Sequence, residues 1–179
     1  MTTLEEINAE STQYGFVENL LHSAFPEDER RPDAEERANT LHEPAFHTML
    51  IKIDEEPAGL LTYWDFGSFV YGEHFAVDPE RRNGGIGAKI FSQFLGQTGK
   101  PMVLEVEPSG SNPMAERRIG FYKRLGLRLW QTPYLQPPYR KPGEPLPLCI
   151  MATAELDEHK DFKHIKEQIH RRVYNSEPL

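Results

Sequence analysis

A glycine-rich segment at residues 84–87 most constrains what this chain of 179 residues can fold into. It follows residues 69–77, whose apolar character is typical of a strand, and it opens residues 85–95, where apolar side chains recur at helical spacing. The first turn of such a helix has unpaired backbone N–H groups and partial positive charge. Glycines let a phosphate come close to these groups. The segment therefore predicts an anion-binding turn between a strand and a helix.

Three known anion-binding motifs place glycines at a turn of this kind. A P-loop needs Ser or Thr after its lysine, but Ile90 follows Lys89. A dinucleotide-binding fingerprint needs a third glycine, where this chain again has Ile90, and a parallel βαβ unit near the start of the domain. The third motif, Arg/Gln-x-x-Gly-x-Gly/Ala, matches residues 82–87 without a gap. The turn therefore favours the third motif.

Around this motif the chain resembles the GNAT superfamily of acetyl-CoA-dependent N-acetyltransferases. The residues Ala-Val-Asp-Pro at 76–79 are similar to that family's entry into the loop. Residues 121–127 resemble its Tyr-x-x-x-Gly-Phe segment, with Leu127 in place of Phe. The resemblance covers about residues 3–156. It implies transfer of an acetyl group from acetyl-CoA to a primary amine. A non-catalytic acyl-CoA sensor and a nucleotide-binding protein of another fold are the alternatives.

The hydrophobic patterns predict the element order β-α-α-β-β-β-α-β-α-β-β-α. The fold class is therefore α+β in three layers, with a mixed, mostly antiparallel central sheet flanked by helices. The resemblance adds a splayed strand pair that forms the acetyl-CoA slot. Strands are predicted at 3–7, 47–53, 59–66, 69–77, 102–107, 127–135 and 148–156. Helices are predicted from an N-cap at Ser11 to Pro26, from a cap at Asp33 to Thr40, at 85–95, at 112–125 and from 157 onward.

The length fits one domain. Residues 1–156 are predicted to form the acetyltransferase-like domain, and residues 157–179 a C-terminal helix. The apolar stripe of that helix packs on the same domain or forms a dimer contact. The stripe consists of Phe162, Ile165, Ile169 and Val173.

The resemblance implies which residues bind acetyl-CoA. Amides of the turn would hold its pyrophosphate, and the preceding strand would bond to the pantetheine arm. The implied residues are Phe75, Ala76, Val77, Arg82, Asn83, Gly84, Gly85, Ile86, Gly87 and Ala88. One departure is Ala115, because many family members have Asn at that position.

Tyr122 stands at the position of the family's tyrosine and is the predicted acid for the leaving thiolate. Glu73 is the predicted base, acting through a water because a free carboxylate is a weak base towards an amine. His74 is the second candidate for this role. Glu105 and Glu107 share a strand face that either lines the slot or faces solvent.

The acceptor pocket is expected between residues 25–32 and 131–147, whose carboxylates and aromatic rings suit a cationic amine. The formal net charge of −8 agrees with that class and argues against a nucleic-acid role. A single cysteine, Cys149, excludes an internal disulfide framework, and the histidine spacing predicts no metal site. With no apolar span and no signal segment, a cytoplasmic location is expected.

Overall fold

The computed structural model describes residues 1–82 and 84–179. Within these residues the chain forms eight strands and five α-helices, so the predicted α+β class is confirmed. The strands are β1 (Thr2–Ile7), β2 (Phe46–Ile53), β3 (Glu56–Asp65), β4 (Val70–Val77), β5 (Met102–Val106), β6 (Leu127–Leu129), β7 (Tyr134–Gln136) and β8 (Leu146–Thr153). The helices are α1 (Tyr14–Ala24), α2 (Asp33–His42), α3 (Ile86–Thr98), α4 (Pro113–Arg124) and α5 (Glu158–Gln168).

The chain divides into two compact units. The first unit contains residues 1–65 and 72–99, and the second unit contains residues 66–71 and 100–179. Strand β4 begins in the second unit and continues into the first. The predicted division at residue 156 and the predicted splayed strand pair stay predictions.

The first unit is built on antiparallel pairing of β1 with β2 and of β2 with β3. Helix α1 buries its apolar stripe, from Tyr14 to Leu21, in a core that contains Leu50 and Leu60. Helix α1 contacts Leu60 of β3 and Ala76 of β4, whereas helix α3 contacts residues of the same strands that point to the other side. The ring of Phe94 lies 4.9 Å from that of Tyr63, and Phe91 lies near Phe75. Because neighbouring strand residues point to opposite faces, α1 and α3 cover opposite faces of these strands.

In the second unit, β5, β6 and β7 each pair antiparallel with β8. Helix α5 continues into a π-helical turn, Ile169–Val173. From the predicted stripe of α5, Ile165, Ile169 and Val173 are buried, and the half-buried Phe162 contacts the ring of Trp130. The stripe is therefore used for packing inside the second unit.

One predicted strand, residues 127–135, is two strands in the structure, β6 and β7. Between them the backbone N–H groups of Gln131 and Thr132 donate to a carboxylate oxygen of Glu158, at 2.6 and 2.5 Å. Pro133 has no N–H group for a ladder. The side chain at the start of α5 therefore satisfies the backbone where the strand is interrupted.

Helix starts agree with the predictions only in part. Asn112 caps α4 as predicted, since its Oδ1 accepts from the Ala115 N–H at 2.9 Å. Ser11 does not cap α1, because its Oγ accepts from the Gln13 N–H in a turn before the helix. Asp33 is the first residue of α2 and not its cap, a position that Pro32 takes.

Candidate functional site

The end of β4 is fixed by contacts with β3. The Asp78 N–H donates to the Ala58 carbonyl at 2.8 Å, and Asp78 Oδ1 accepts from the Glu80 N–H at 2.9 Å. A Cβ at Gly59 would lie 2.6 Å from the Ala76 carbonyl oxygen. Only glycine therefore allows β3 to approach β4 this closely, and the approach sets where β4 leads into the turn.

The turn itself depends on two glycines in the left-handed region. Gly84 has φ +60° and Gly85 has φ +74°, and a Cβ at either would meet no heavy atom within 4 Å. Backbone conformation, and not lack of space, therefore requires glycine here. Gly85 is the N-cap of α3, and its carbonyl accepts from the N–H groups of Ala88 and Lys89. The thirteen-residue helix thus presents its N-terminus directly at the turn.

Arg82 lies at the base of this turn. Its Nε donates to the Val77 carbonyl at 2.7 Å, which ties the guanidinium to the end of β4. The other nitrogens of a guanidinium extend beyond such a bond and can donate to an anion. This contact fixes the Arg82 guanidinium at the end of β4, and Arg82 precedes the glycine turn in the sequence.

The structure brings the described cofactor-binding residues of the prediction together in one strand–turn–helix segment of the first unit. Phe75, Ala76 and Val77 lie in the second half of β4. Gly84 and Gly85 form the turn, and residues 86–88 are the first turn of α3. Asn83, also predicted, lies outside the described residues. The arrangement can bind an anionic group through backbone N–H donors.

Glu73, the predicted base, lies in a buried ion-pair cluster. Its carboxylate pairs with both terminal nitrogens of Arg31 and accepts from Trp64 Nε1 at 3.0 Å. The Glu73 side chain has no exposed surface. The Arg31 guanidinium also lies over the rings of Phe46 and Trp64, 5.4 and 5.6 Å from their centroids. The cluster fastens the segment between α1 and α2 to β4.

A second buried carboxylate, Glu36 of α2, pairs with the same Arg31. Burial raises the pKa of Glu36, and the negative charge of Glu73 adds to that rise against the attraction of Arg31. Burial also acts to raise the pKa of Glu73, but Arg31, His74 and the Trp64 hydrogen bond lower it overall. The pKa values of the two carboxyl groups therefore shift in opposite directions, with Glu73 as the ionised partner of Arg31.

Both ring nitrogens of His74, the second candidate base, lie within hydrogen-bond distance of protein atoms. Its Nε2 lies 2.9 Å from the Glu29 carbonyl, and its Nδ1 lies 3.3 Å from Thr62 Oγ1. The Phe25 ring stands edge-on to the imidazole at 4.6 Å. The Glu29 carbonyl can only accept, so Nε2 carries the proton. Glu73 and His74 therefore both bind residues of the α1–α2 segment.

Arg31 and Glu36, which surround the predicted base Glu73, were not among the residues predicted from sequence. Arg31 stands in a proline-bracketed charged stretch, which predicts solvent exposure, yet it is buried. No local pattern identifies it, because its partners Glu73 and Trp64 lie far along the chain.

Tyr122, the predicted acid, lies near the C-terminal end of α4 in the second unit. The ring of Phe121 lies 5.2 Å away and edge-on. Burial raises the pKa of Tyr122 to about 12. The phenol therefore keeps its proton at neutral pH and is a weaker acid than a free tyrosine.

Glu105 and Glu107 on β5 have different surroundings. Glu107 is partly exposed, and its carboxylate lies 3.7 Å from Arg118 and accepts from Asn112 Nδ2 at 3.2 Å. Glu105 accepts hydrogen bonds from Tyr71, Tyr134, Gln136 and Tyr174. Of the two positions predicted for Glu105, the structure therefore excludes the one that faces solvent.

In residues 1–82 and 84–179, no group of three or more His, Cys, Asp or Glu side chains is placed to hold a metal ion. In the same part of the chain no helix has the length and apolar character needed to cross a membrane.

The family model for the "Acetyltransferase (GNAT) family" matches residues 14–127. This match covers more than half of the chain, and the chain therefore belongs to the GNAT family of acetyltransferases. Its matched range includes β4, the glycine turn, α3 and the Tyr122 segment.

Two relatives support this family. A solved structure from Bacteroides thetaiotaomicron, described as an acetyltransferase of the GNAT family, is 39% identical, with a TM-score of 0.94 over 98% of this chain and 99% of that one. The Bacillus subtilis (strain 168) protein YjbC, named as an acetyltransferase, is 33% identical over 72 residues, or 40% of this chain. That match spans 37% of the length of YjbC.

More distant structures share the fold. Arabidopsis thaliana Naa50, in complex with the bisubstrate analogue CoA-Ac-MVNAL, is 17% identical with a TM-score of 0.61 over 86% of this chain and 98% of that chain. A spermidine N-acetyltransferase chimera, made from Vibrio cholerae SpeG and hSSAT, is 14% identical with a TM-score of 0.63 over 85% of this chain and 94% of that chain. At these identities the likeness concerns the fold.

Proposed function

We propose that this protein transfers an acetyl group from acetyl-CoA to a primary amine in the cytoplasm. The observation that carries the proposal is the pair of left-handed glycines, Gly84 and Gly85, at the N-terminus of α3. In a chain of this family, that turn has the chemistry to bind the pyrophosphate of acetyl-CoA. Arg82, tied to the Val77 carbonyl, adds a positive charge next to the same turn.

The proposed reaction is direct attack of the amine nitrogen on the thioester carbonyl carbon. A C–N bond forms and the carbonyl oxygen becomes an oxyanion, for which a backbone N–H at Phe75 or Ala76 is the proposed donor. Collapse of this intermediate breaks the C–S bond and releases the CoA thiolate. The amide product keeps the acetyl group, and the amine nitrogen gives up one proton.

Tyr122 is the proposed acid that protonates the departing thiolate. Burial raises its pKa to about 12, so the phenol is protonated at neutral pH. A free thiol has a pKa of roughly 8.5, so proton transfer from a phenol of pKa about 12 to the thiolate is uphill, and burial counts against this role. The family position of Tyr122 carries the proposal, and acid catalysis of this kind contributes a factor of about 10²–10⁴ to the rate.

Two roles for Glu73 are proposed as alternatives. In the first it is the base, accepting the amine proton through a water. In the second it positions the α1–α2 segment. The amine then reaches the thioester already neutral, and the proton that its nitrogen loses on forming the amide passes to solvent water. Pairing with Arg31 and the lowered pKa of Glu73 support the second role, because an ionised, paired carboxylate is a weaker base.

The acceptor is proposed to be a cationic amine of a small molecule or a peptide. The net charge of −8 supports a cationic substrate. The exposed turn Glu27–Glu29, in the segment expected to line the acceptor pocket, carries three carboxylates. Spermidine and a peptide are acceptors indicated by the descriptions of two structural neighbours.

Release of free thiol from acetyl-CoA, measured across a panel of polyamines, small amines and peptides, tests the proposal. We expect thiol release above the rate without acceptor for at least one cationic amine, with the acetylated amine identified by mass spectrometry. Binding of acetyl-CoA without turnover on any amine in the panel would instead favour an acyl-CoA sensor.

A further inference from the structure

In the second unit a buried carboxylate lies at the centre of a cluster of hydroxyl and amide donors. Glu105 Oε2 accepts from Tyr71 at 2.9 Å, from Tyr174 at 2.6 Å and from Gln136 Nε2 at 2.7 Å. Its Oε1 accepts from the Tyr134 hydroxyl. Four donors fill the acceptor capacity of one carboxylate. Glu105 is therefore a fully hydrogen-bonded buried acid and has no part in the mechanism proposed above.

The four donors come from three separate parts of the chain. Tyr71 lies at the start of β4, Tyr134 and Gln136 form the ends of β7, and Tyr174 follows the π-helical turn. The donors also bind one another. Gln136 Nε2 donates to the Tyr174 hydroxyl at 2.8 Å, and the Tyr71 and Tyr174 hydroxyls lie 3.2 Å apart. Glu105 is thus the common acceptor that joins these parts to β5.

The segment that Glu105 holds is residues 131–147, which include β7. Further along this segment, the Tyr139 ring lies 4.8 Å from the Tyr174 ring. Lys141 Nζ donates to the Asn175 carbonyl at 3.4 Å. Residues 131–147 therefore rest against the chain around Tyr174, and both are connected through Glu105.

We propose that Glu105 is a positioning residue that orders residues 131–147 for binding of the acceptor amine. The inference rests on the proposed function, because those residues are assigned to the acceptor pocket by the family resemblance. Glu105 acts through Tyr134 and Gln136 and touches neither the cofactor nor the reacting atoms. Its loss should therefore weaken amine binding and leave acetyl-CoA binding unchanged.

The electrostatics of the Glu105 cluster predict that the stability of the protein depends on pH. Burial raises the pKa of Glu105, while the hydrogen bonds from Tyr134, Tyr174, Gln136 and Tyr71 oppose that rise. The native state therefore binds the Glu105 proton more tightly than the unfolded chain does. The stability that this gives is fully present below the ordinary glutamate pKa of 4.5 and is lost as pH rises through the raised value.

The test compares Glu105→Gln with Glu155→Gln, an exposed acid in the same unit. In Glu105→Gln we expect the amine KM to rise by about tenfold, as expected when hydrogen bonds in a buried network are lost, with kcat within about threefold. The dissociation constant of acetyl-CoA should be unchanged. Tyr174→Phe, which removes one donor, should shift the amine KM in the same direction by less. Glu155→Gln should change none of these values.

Two further measurements separate this inference from the proposed function. Hydrogen exchange should show faster exchange at residues 131–147 in Glu105→Gln and not in Glu155→Gln, whether or not any amine is acetylated. The fall in Tm of the wild type above pH 4.5 should be shallower in Glu105→Gln. Unchanged exchange at residues 131–147 would overturn the proposal, and so would an equal loss of acetyl-CoA binding. No turnover by the wild type would overturn the assigned acceptor role.

Discussion

Arg31→Met is expected to lower the free energy of unfolding by about 3–5 kcal/mol, because it removes one partner of a buried ion pair and leaves the others uncompensated. Arg31 is the shared partner of Glu73 and Glu36, and its side chain is only 3% exposed. Methionine has a similar length, so it fills much of the space without the charge. Urea unfolding measured at neutral pH gives this difference directly.

The pH dependence of the loss identifies its cause. Without Arg31, Glu36 and Glu73 are two buried carboxylates that raise each other's pKa. Acid protonates them, so the stability deficit of Arg31→Met should shrink as pH falls towards 4.5, the ordinary glutamate value. A deficit that stays constant with pH would mean that lost packing on Phe46 and Trp64, and not exposed charge, destabilises the variant.

Arg37→Met is the matched control. Arg37 makes the same kind of ion pair, with Glu18, but its side chain is 47% exposed. Exposed ion pairs contribute about 0–1 kcal/mol, so this variant should stay close to the wild type. Equal losses in both variants would show that the buried cluster has no special role in stability.

Tyr122→Phe is expected to lower kcat by a factor of about 10²–10⁴ with little change in acetyl-CoA binding. The substitution removes one hydroxyl and keeps the ring that contacts Phe121. Steady-state kinetics with the best amine of the panel, together with calorimetric titration of acetyl-CoA, measures both quantities. The reason for the loss is that the CoA thiolate then has no phenol to protonate it.

Tyr63→Phe is the control for this change. Burial raises the pKa of Tyr63, like that of Tyr122, to about 12, but Tyr63 stacks on His47 in the first unit and has no proposed catalytic role. Its kcat should match that of the wild type. Wild-type kcat in Tyr122→Phe would remove the tyrosine from the mechanism and leave family membership unaffected.

The strand–turn–helix segment was predictable from sequence because its signals are local. Gly84 and Gly85 allow left-handed backbone, and the apolar spacing after them sets the helix. The Asn112 cap was predictable for the same reason. The break at Thr132 and Pro133 was not, because its backbone donors are satisfied by Glu158, which lies on a different element.

The environment of each acidic residue was the part that local patterns did not reveal. Strand alternation assigns Glu73 to a face but does not show that Arg31, forty-two residues earlier, will occupy its carboxylate. Alternation likewise predicts that Glu105 either lines the slot or faces solvent. In the structure its carboxylate accepts hydrogen bonds from four donors that lie far away in the sequence. The environments of Glu73 and Glu105 both depend on contacts between residues that are distant in the sequence. These contacts determine whether a carboxylate is available as a base or is held in a structural hydrogen-bond cluster.

Binding of acetyl-CoA by the glycine turn can be tested by a thermal shift with acetyl-CoA, CoA, ATP and NAD side by side. A ligand at about 100 times its dissociation constant stabilises the native state by about 2.7 kcal/mol, a readily measured shift. We predict that acetyl-CoA and CoA raise the Tm and that ATP and NAD do not. No shift with either CoA species, or a larger shift with ATP or NAD, would show that this turn does not bind acetyl-CoA.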